Sequence, residues 1–284
     1  MEIDYFMLLE IGIGDAYGAG FEFSPYEKIK AHNSLTSYQS HELGIPAGNY
    51  TDDTQMSLAI SELLIDKTDW NRQNIANKFV QCFKRDPREG YSKGFYYFLK
   101  SIKDGREFLE KINPESTRNG AAMRAAPLGI IKDIDDLLAM SEIQASLTHN
   151  TEIGIKSSQA VSLAAHFFVY NIGSKNVLFD FIGEYTNFKW NNKWEGEVAC
   201  CGEETVNALL TVLDQSNSLK DVLINSVAFG GDVDTVAAVG LGIANLSSEF
   251  EKELPNFLFN DLENNTFGRE YLKEVGSQLL SLKA

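Results

Sequence analysis

Two short runs of acidic and hydroxyl residues carry most of the chemistry this sequence can offer. Thr51-Asp52-Asp53-Thr54 follows the loop Gly44-Ile45-Pro46-Ala47-Gly48-Asn49 and precedes an apolar stretch over 56–64. A helix start needs one capping side chain, and four consecutive oxygen-bearing side chains exceed that need. Adjacent carboxylates repel unless water or a cation compensates. Hard divalent ions such as Mg²⁺ and Mn²⁺ favour carboxylate and hydroxyl oxygens. The second run, Gly230-Gly231-Asp232-Val233-Asp234-Thr235, also heads an apolar, small-residue stretch, 236–246. Its Asp-x-Asp step puts carboxylates at i and i+2 within reach of one ion, and the glycines permit positive φ and close backbone approach. Brought together, the runs supply the carboxylates of Asp52, Asp53, Asp232 and Asp234 and several hydroxyls, enough for two ions sharing a ligand.

The elements that must position these runs read as helices. Apolar residues recur at helical spacing over roughly 4–17, 54–66, 71–84, 119–131, 134–147, 152–170, 203–213, 219–228 and 235–246, with a last helix from about 268. Gly- and Asn-rich joints separate them. The stretch 186–202, with Trp190 and Trp194 among Asn and Lys, is the least helical and reads as an ordered loop or short hairpin. No linker or internal repeat interrupts the 284 residues, so one all-α domain over 1–284 is expected.

Bulk properties narrow the partners. The 25 basic and 40 acidic residues leave a net charge of −15, against a nucleic-acid groove or docking on anionic lipid. An anion can still be bound where a metal or a helix N-terminus supplies positive potential. Cys82, Cys200 and Cys201 form no disulfide framework. The acidic start Met1-Glu2-Ile3-Asp4 is unlike a signal peptide, and no apolar run is long enough to span a membrane, so a cytoplasmic location is expected. His32, His41 and His166 show no paired metal spacing and read as structural. Phe21, Phe23 and the aromatics of 91–97 read mainly as core, with stacking on a ligand as the other use. Oligomeric state is not legible.

Four segments, in order, make the chain resemble the ADP-ribosylglycohydrolases, the group of the dinitrogenase-reductase-activating glycohydrolase and the ADP-ribosylhydrolases. They are Gly14-Asp15-Ala16-Tyr17-Gly18-Ala19-Gly20-Phe21-Glu22-Phe23, Thr51-Asp52-Asp53-Thr54, Asn119-Gly120-Ala121-Ala122-Met123-Arg124 with Pro127-Leu128-Gly129 and Leu147-Thr148-His149, and Gly230 to Thr235. The resemblance implies an all-α fold with a central cleft holding two Mg²⁺ or Mn²⁺ ions. It implies Thr51, Asp52, Asp53 and Asp234 on one ion and Asp232, Asp234 and Thr235 on the other, with Asp234 shared. Asn119, Gly120 and His149 would line an ADP-ribose pocket, and Asp52, Asp53 or Glu22 would act as general base. The implied activity is hydrolysis of the C1″ bond between ADP-ribose and a modified protein or other conjugate; arginine is the first expectation for the linkage, with serine, a nucleic-acid base and an O-acyl group left open. A metal-dependent phosphohydrolase and a non-catalytic ADP-ribose binder are the alternatives. Arg118, where glycine is frequent, and Asn150 depart from the family pattern beside the pocket, which bears on substrate choice more than on metal binding.

Overall fold

The computed structural model describes residues 6–42 and 44–283. Their regular structure is helical, and strand-like pairing is limited to isolated bridges. Asp4 and Tyr5, in the expected first helix, lie outside the described residues, as does the acidic start 1–4.

At the centre, the helix Leu8–Ala19 lies along Val233–Ala244, and every residue of both is buried. Helices apolar all round belong in a core rather than on a surface. Small residues let these two approach unusually closely. A Cβ on Gly14 would lie 2.8 Å from the Ala238 Cα, and one on Gly242 2.5 Å from the Ile11 Cγ1. Asp52–Ile65, Glu152–Val169, Gly202–Gln215 and Arg269–Ser281 pack around this pair. A hydrophobic cluster runs unbroken from Met7 to Leu279. Among the described residues no helix is long and apolar enough to cross a membrane.

Where structure and expectation differ, the causes are local. The expected helix over 119–131 is two pieces, Gly120–Met123 and a 3-10 turn Ala126–Ile130. Pro127 has no N–H to give the Met123 carbonyl, and Ser57 Oγ donates to that carbonyl instead, at 3.2 Å. Tyr26–His32, Lys93–Ser101, Gly105–Lys111, Leu178–Thr186 and Asn256–Asn260 are helices too short to display a period. Within 186–202 the chain is an ordered loop without a hairpin. Trp190 is buried and its Nε1 donates to Thr186 Oγ1 at 2.9 Å, while the Asn191 and Trp194 amides donate to Asn207 Oδ1 and Thr211 Oγ1.

The central helix also carries a strained charge. Burial pushes the Glu10 carboxyl up to about 7, against hydrogen bonds and the nearby Lys252 ammonium that pull it down, and its Oε2 has no partner. A carboxyl raised in the folded state costs stability as pH climbs from its ordinary 4.5 through about 7. Glu10→Gln should therefore exceed wild type in stability by about 1–2 kcal/mol at pH 8, with a smaller gain at pH 5, in paired urea titrations.

Candidate metal centre and ligand cavity

The first acidic run is held by a residue from another helix. Thr51 is the N-cap of Asp52–Ile65, yet its side chain makes no cap bond. Asp15, fully buried on Leu8–Ala19, accepts from the Thr51 and Thr54 amides at 2.9 and 3.0 Å and from their hydroxyls at 2.8 and 2.5 Å. The sequence offered the run's own Asp and Thr as caps. The structure assigns that task to Asp15, which frees Asp52 and Asp53 to face elsewhere. Asp15→Ala strips partners from two amides and two hydroxyls at once. We expect a loss of about 3 kcal/mol or more in unfolding free energy by urea titration.

The second run is held by the 186–202 loop. Val198 N donates to Gly230 O at 3.0 Å and Asp232 N to Val198 O at 2.7 Å. Gly231 sits at φ +81°, and a Cβ there would meet the Val198 backbone. Phe23 N donates to Gly231 O at 2.8 Å, which brings Glu22 to the same place. Glu22, Asp232 and Asp234 thereby each present an oxygen within 4.8 Å of the other two, the geometry of a cation site. The runs themselves come together at Asp53, whose carboxyl feels the Asp232 charge, which raises it, and the Thr235 side chain, which lowers it.

Burial and mutual repulsion mark this cluster electrostatically. Desolvation is the largest cause raising Asp52, Asp53 and Asp234 well above the ordinary carboxylate range, and neighbouring carboxylates add to it. Asp53 Oδ1 is buried without any hydrogen-bond partner. An orphaned carboxylate oxygen beside four more carboxyl groups fits a divalent cation better than it fits any structural role.

The cluster floors a cavity of about 720 Å³. Glu22, Asp52, Asp53, Asn119, Gly120, His149, Asp232, Asp234 and Thr235 all line it; of the sequence-expected site residues Thr51 alone is not part of the lining, and its hydroxyl donates to Asp15. Asn119 Nδ2 donates to Asp232 Oδ2 at 2.9 Å, to Thr235 Oγ1 at 3.1 Å and to Thr205 Oγ1 at 3.2 Å. Asn119 thus orients the second run, a role the sequence did not suggest. His41, read as structural, also lines the cavity, with Nε2 2.8 Å from Glu22 Oε2. No spacing signal marks His41, since loop geometry alone brings it to Glu22. Cys200 lines the wall as well, and burial, with Asp232 close by, pushes its thiol up to about 12. Tyr91, Phe95 and Phe98 give the cavity lining an aromatic part. Phe21 is core, whereas Phe23 is 57% exposed at the mouth.

Known proteins resemble this chain to differing extents. A solved structure titled "ADP-ribosylglycohydrolase-related protein complex" superposes with TM-score 0.77 over 98% of this chain and 97% of that one, at 20% identity, and shows the fold. The ADP-ribosylhydrolase ARH3 of Mus musculus is 27% identical over 178 residues, 57% of this chain and 48% of that protein. The ADP-ribosylarginine hydrolase Tri1 of Pseudomonas putida (strain GB-1) is 22% identical over 254 residues, 81% of this chain and 66% of its own. The chain spans about half the length of the ARH3 proteins it matches. The family model named ADP-ribosylglycohydrolase matches residues 7–283, and the chain belongs to that family.

Proposed function

We propose that this protein is an ADP-ribosyl hydrolase that cleaves the C1″ glycosidic bond between ADP-ribose and a modified protein, using two Mg²⁺ or Mn²⁺ ions. One observation carries the reading: both acidic runs, with Asp53 Oδ1 unpartnered, open into the same cavity as Asn119, Gly120 and His149. Its volume falls in the range of small-molecule sites, roughly 300–1,000 Å³.

In this reading Thr51, Asp52, Asp53 and Asp234 hold one ion and Asp232, Asp234 and Thr235 the other. Thr51 spends its hydroxyl hydrogen on Asp15, which leaves its lone pairs for a cation. Bound there, the ions would supply Lewis acidity toward the ribose hydroxyls and the attacking water. The chain's own groups do the rest. The carboxylates stabilise the positive charge that develops on the ribose as the C1″ bond breaks. Glu22, the least buried of the three candidate bases and held by His41, is placed to take a proton from water. Asp52 and Asp53 orient the reacting end. Residues 1–284 act as one domain, a reading supported by the continuous core.

The mouth favours an arginine-linked substrate. The exposed Glu42 carboxylate lines it together with the exposed Phe23 ring. Carboxylate and aromatic face both suit a guanidinium leaving group. The Tri1 relatives, named for ADP-ribosylarginine, align over 81% of this chain.

The test is a turnover panel of arginine-, serine- and base-linked ADP-ribose with Mg²⁺ and with Mn²⁺. Release of ADP-ribose from the arginine conjugate, abolished by chelator, is expected. Phosphate release from nucleotides without action on the panel would replace this reading with a phosphohydrolase. Tight ADP-ribose binding without turnover would make the protein a binder.

A further inference from the structure

A buried guanidinium is set into the cavity wall and has no part in the reaction described above. Arg124 is 1% exposed. Its Nε donates to Gln144 Oε1 at 2.6 Å, one terminal nitrogen to Gly120 O at 2.7 Å, and the other to Gln144 O at 3.1 Å and Thr148 Oγ1 at 2.9 Å. Every one of these acceptors is a neutral oxygen, so the charge is satisfied in hydrogen bonds but not neutralised. Its cost shows in the direction of titration: burial pulls this arginine down to about 9. Ordinary packing is better served by an apolar side chain than by a buried charge.

The network continues to His149. Thr148 Oγ1 lies 2.6 Å from His149 Nδ1. Arg124 only donates, so it occupies a lone pair of the Thr148 oxygen. The hydroxyl has one hydrogen, and the acceptor within reach is Nδ1. If Nδ1–H instead donated to the second lone pair, the buried hydroxyl hydrogen would be left without an acceptor, so the favoured arrangement has Nδ1 unprotonated and the neutral ring's hydrogen on Nε2. Burial and the Arg124 charge together keep this imidazole neutral, down to about 3. Among the described residues Nε2 has no protein acceptor, and His149 lines the cavity. Gly120 flanks the ring edge, where a Cβ would lie 2.8 Å from Cε1 and 3.1 Å from Nε2.

We propose that Arg124 and Thr148 are positioning residues that lock His149 as the neutral Nε2–H tautomer, which donates to an anionic oxygen of the bound ligand. The chain Arg124–Thr148–His149 delivers positive potential into an otherwise acidic cavity without exposing a cation that would pair with the carboxylates. The chemistry recognised is a phosphate oxygen, and under the proposed function that is the diphosphate of ADP-ribose. The tautomer lock itself does not depend on that reading.

The experiment is ¹⁵N NMR of the histidine rings in the full chain, with the His149 signals assigned by their loss in His149→Gln. The expected result is one ring with Nδ1 unprotonated and Nε2 protonated, unchanged from pH 5.5 to 8. A His149 that titrates near pH 6.5, or that carries its hydrogen on Nδ1, overturns the proposal. Calorimetry with free ADP-ribose tests the consequence. Thr148→Val should weaken binding about tenfold and Thr148→Ser should restore it. Unchanged affinity in folded Thr148→Val also overturns it. If that variant fails to fold, the wild-type spectra decide. If wild type binds no ADP-ribose, the hydrolase reading fails, while the spectra still decide the lock.

Discussion

Asp53→Ala and Asp234→Ala should each abolish metal-dependent turnover, by on the order of 10³-fold, while leaving the metal-free protein as stable as wild type or more so. The two outcomes have one cause. In the folded chain Asp52, Asp53 and Asp234 are raised above their ordinary range, first by burial and then by one another. Raised carboxyls bind protons more tightly in the folded state than in the unfolded. Their contribution to stability is therefore lost as pH rises from the ordinary carboxylate range through the raised values. Deleting one of them removes a repulsive charge and, for Asp53, an oxygen with no partner. The same deletion removes a cation ligand, and cation chemistry supplies several kcal/mol to such a reaction. Divalent cation should raise the melting temperature of wild type, more at pH 8 than at pH 5.5 because protons compete for the same oxygens. At a concentration about 100 times Kd the gain is about 2.7 kcal/mol. Scanning calorimetry with Mg²⁺, Mn²⁺ and chelator, alongside the turnover panel, reads all of this. An Asp234→Ala protein that keeps a full metal-induced shift would refute the assignment.

Gly18→Ala should cost nearly as much activity from outside the cavity. Gly18 faces the second acidic run across the central helix pair. A Cβ there would run into the Asp234 Cα and lie 3.0 Å from its nitrogen and 3.1 Å from its Cβ. Two effects oppose each other. Alanine favours a helix over glycine by about 1 kcal/mol, and overpacking costs about 1–3 kcal/mol. Overpacking wins here because the obstacle is backbone and cannot rotate away. The net loss of stability is modest, about 1–2 kcal/mol. The loss of activity is larger, since a shift of about 1 Å in a reacting group can cost on the order of 10²-fold. Gly183→Ala is the control: it lies in the helix Leu178–Thr186, and its nearest contact would be the Phe188 carbonyl oxygen at 4.0 Å. That variant should gain a few tenths to 1 kcal/mol. Equal activity in the two variants would remove Gly18 from the support of the site.

How much of this was legible depended on sequence distance. Asp52 and Asp53 could be placed at a helix start because the loop before them and the apolar run after them are adjacent in sequence. Asp232 and Asp234 were readable in the same way. That the four open into one cavity rested on resemblance alone, since nothing local to either run names its partner. Asp15 illustrates the limit. Its function as cap for Thr51 and Thr54 exists only once two helices cross. His41 and Asn119 are further cases. His41 sits in an irregular stretch before Gly44, and its contact with Glu22 is set by loop geometry that no periodicity encodes. Asn119 was expected to line the ligand pocket and it lines the cavity, but that its amide nitrogen also donates to Asp232, Thr235 and Thr205 depends on chain crossings far apart in sequence. The break at Arg124 was readable in principle from Pro127, but the apolar period across it suggested continuity.

The pairing of Leu8–Ala19 with Val233–Ala244 has a consequence for how the protein is made. The first of these helices leaves the ribosome more than 200 residues before its main partner is synthesised. At about 5–20 residues per second, a largely apolar segment waits many seconds without its partner surface to bury it. Distant pairings of this kind also slow folding, because a long loop must close before any contact rewards it. The nascent chain is therefore a natural client for a holding chaperone, and the acidic centre cannot load a cation until synthesis has passed residue 235.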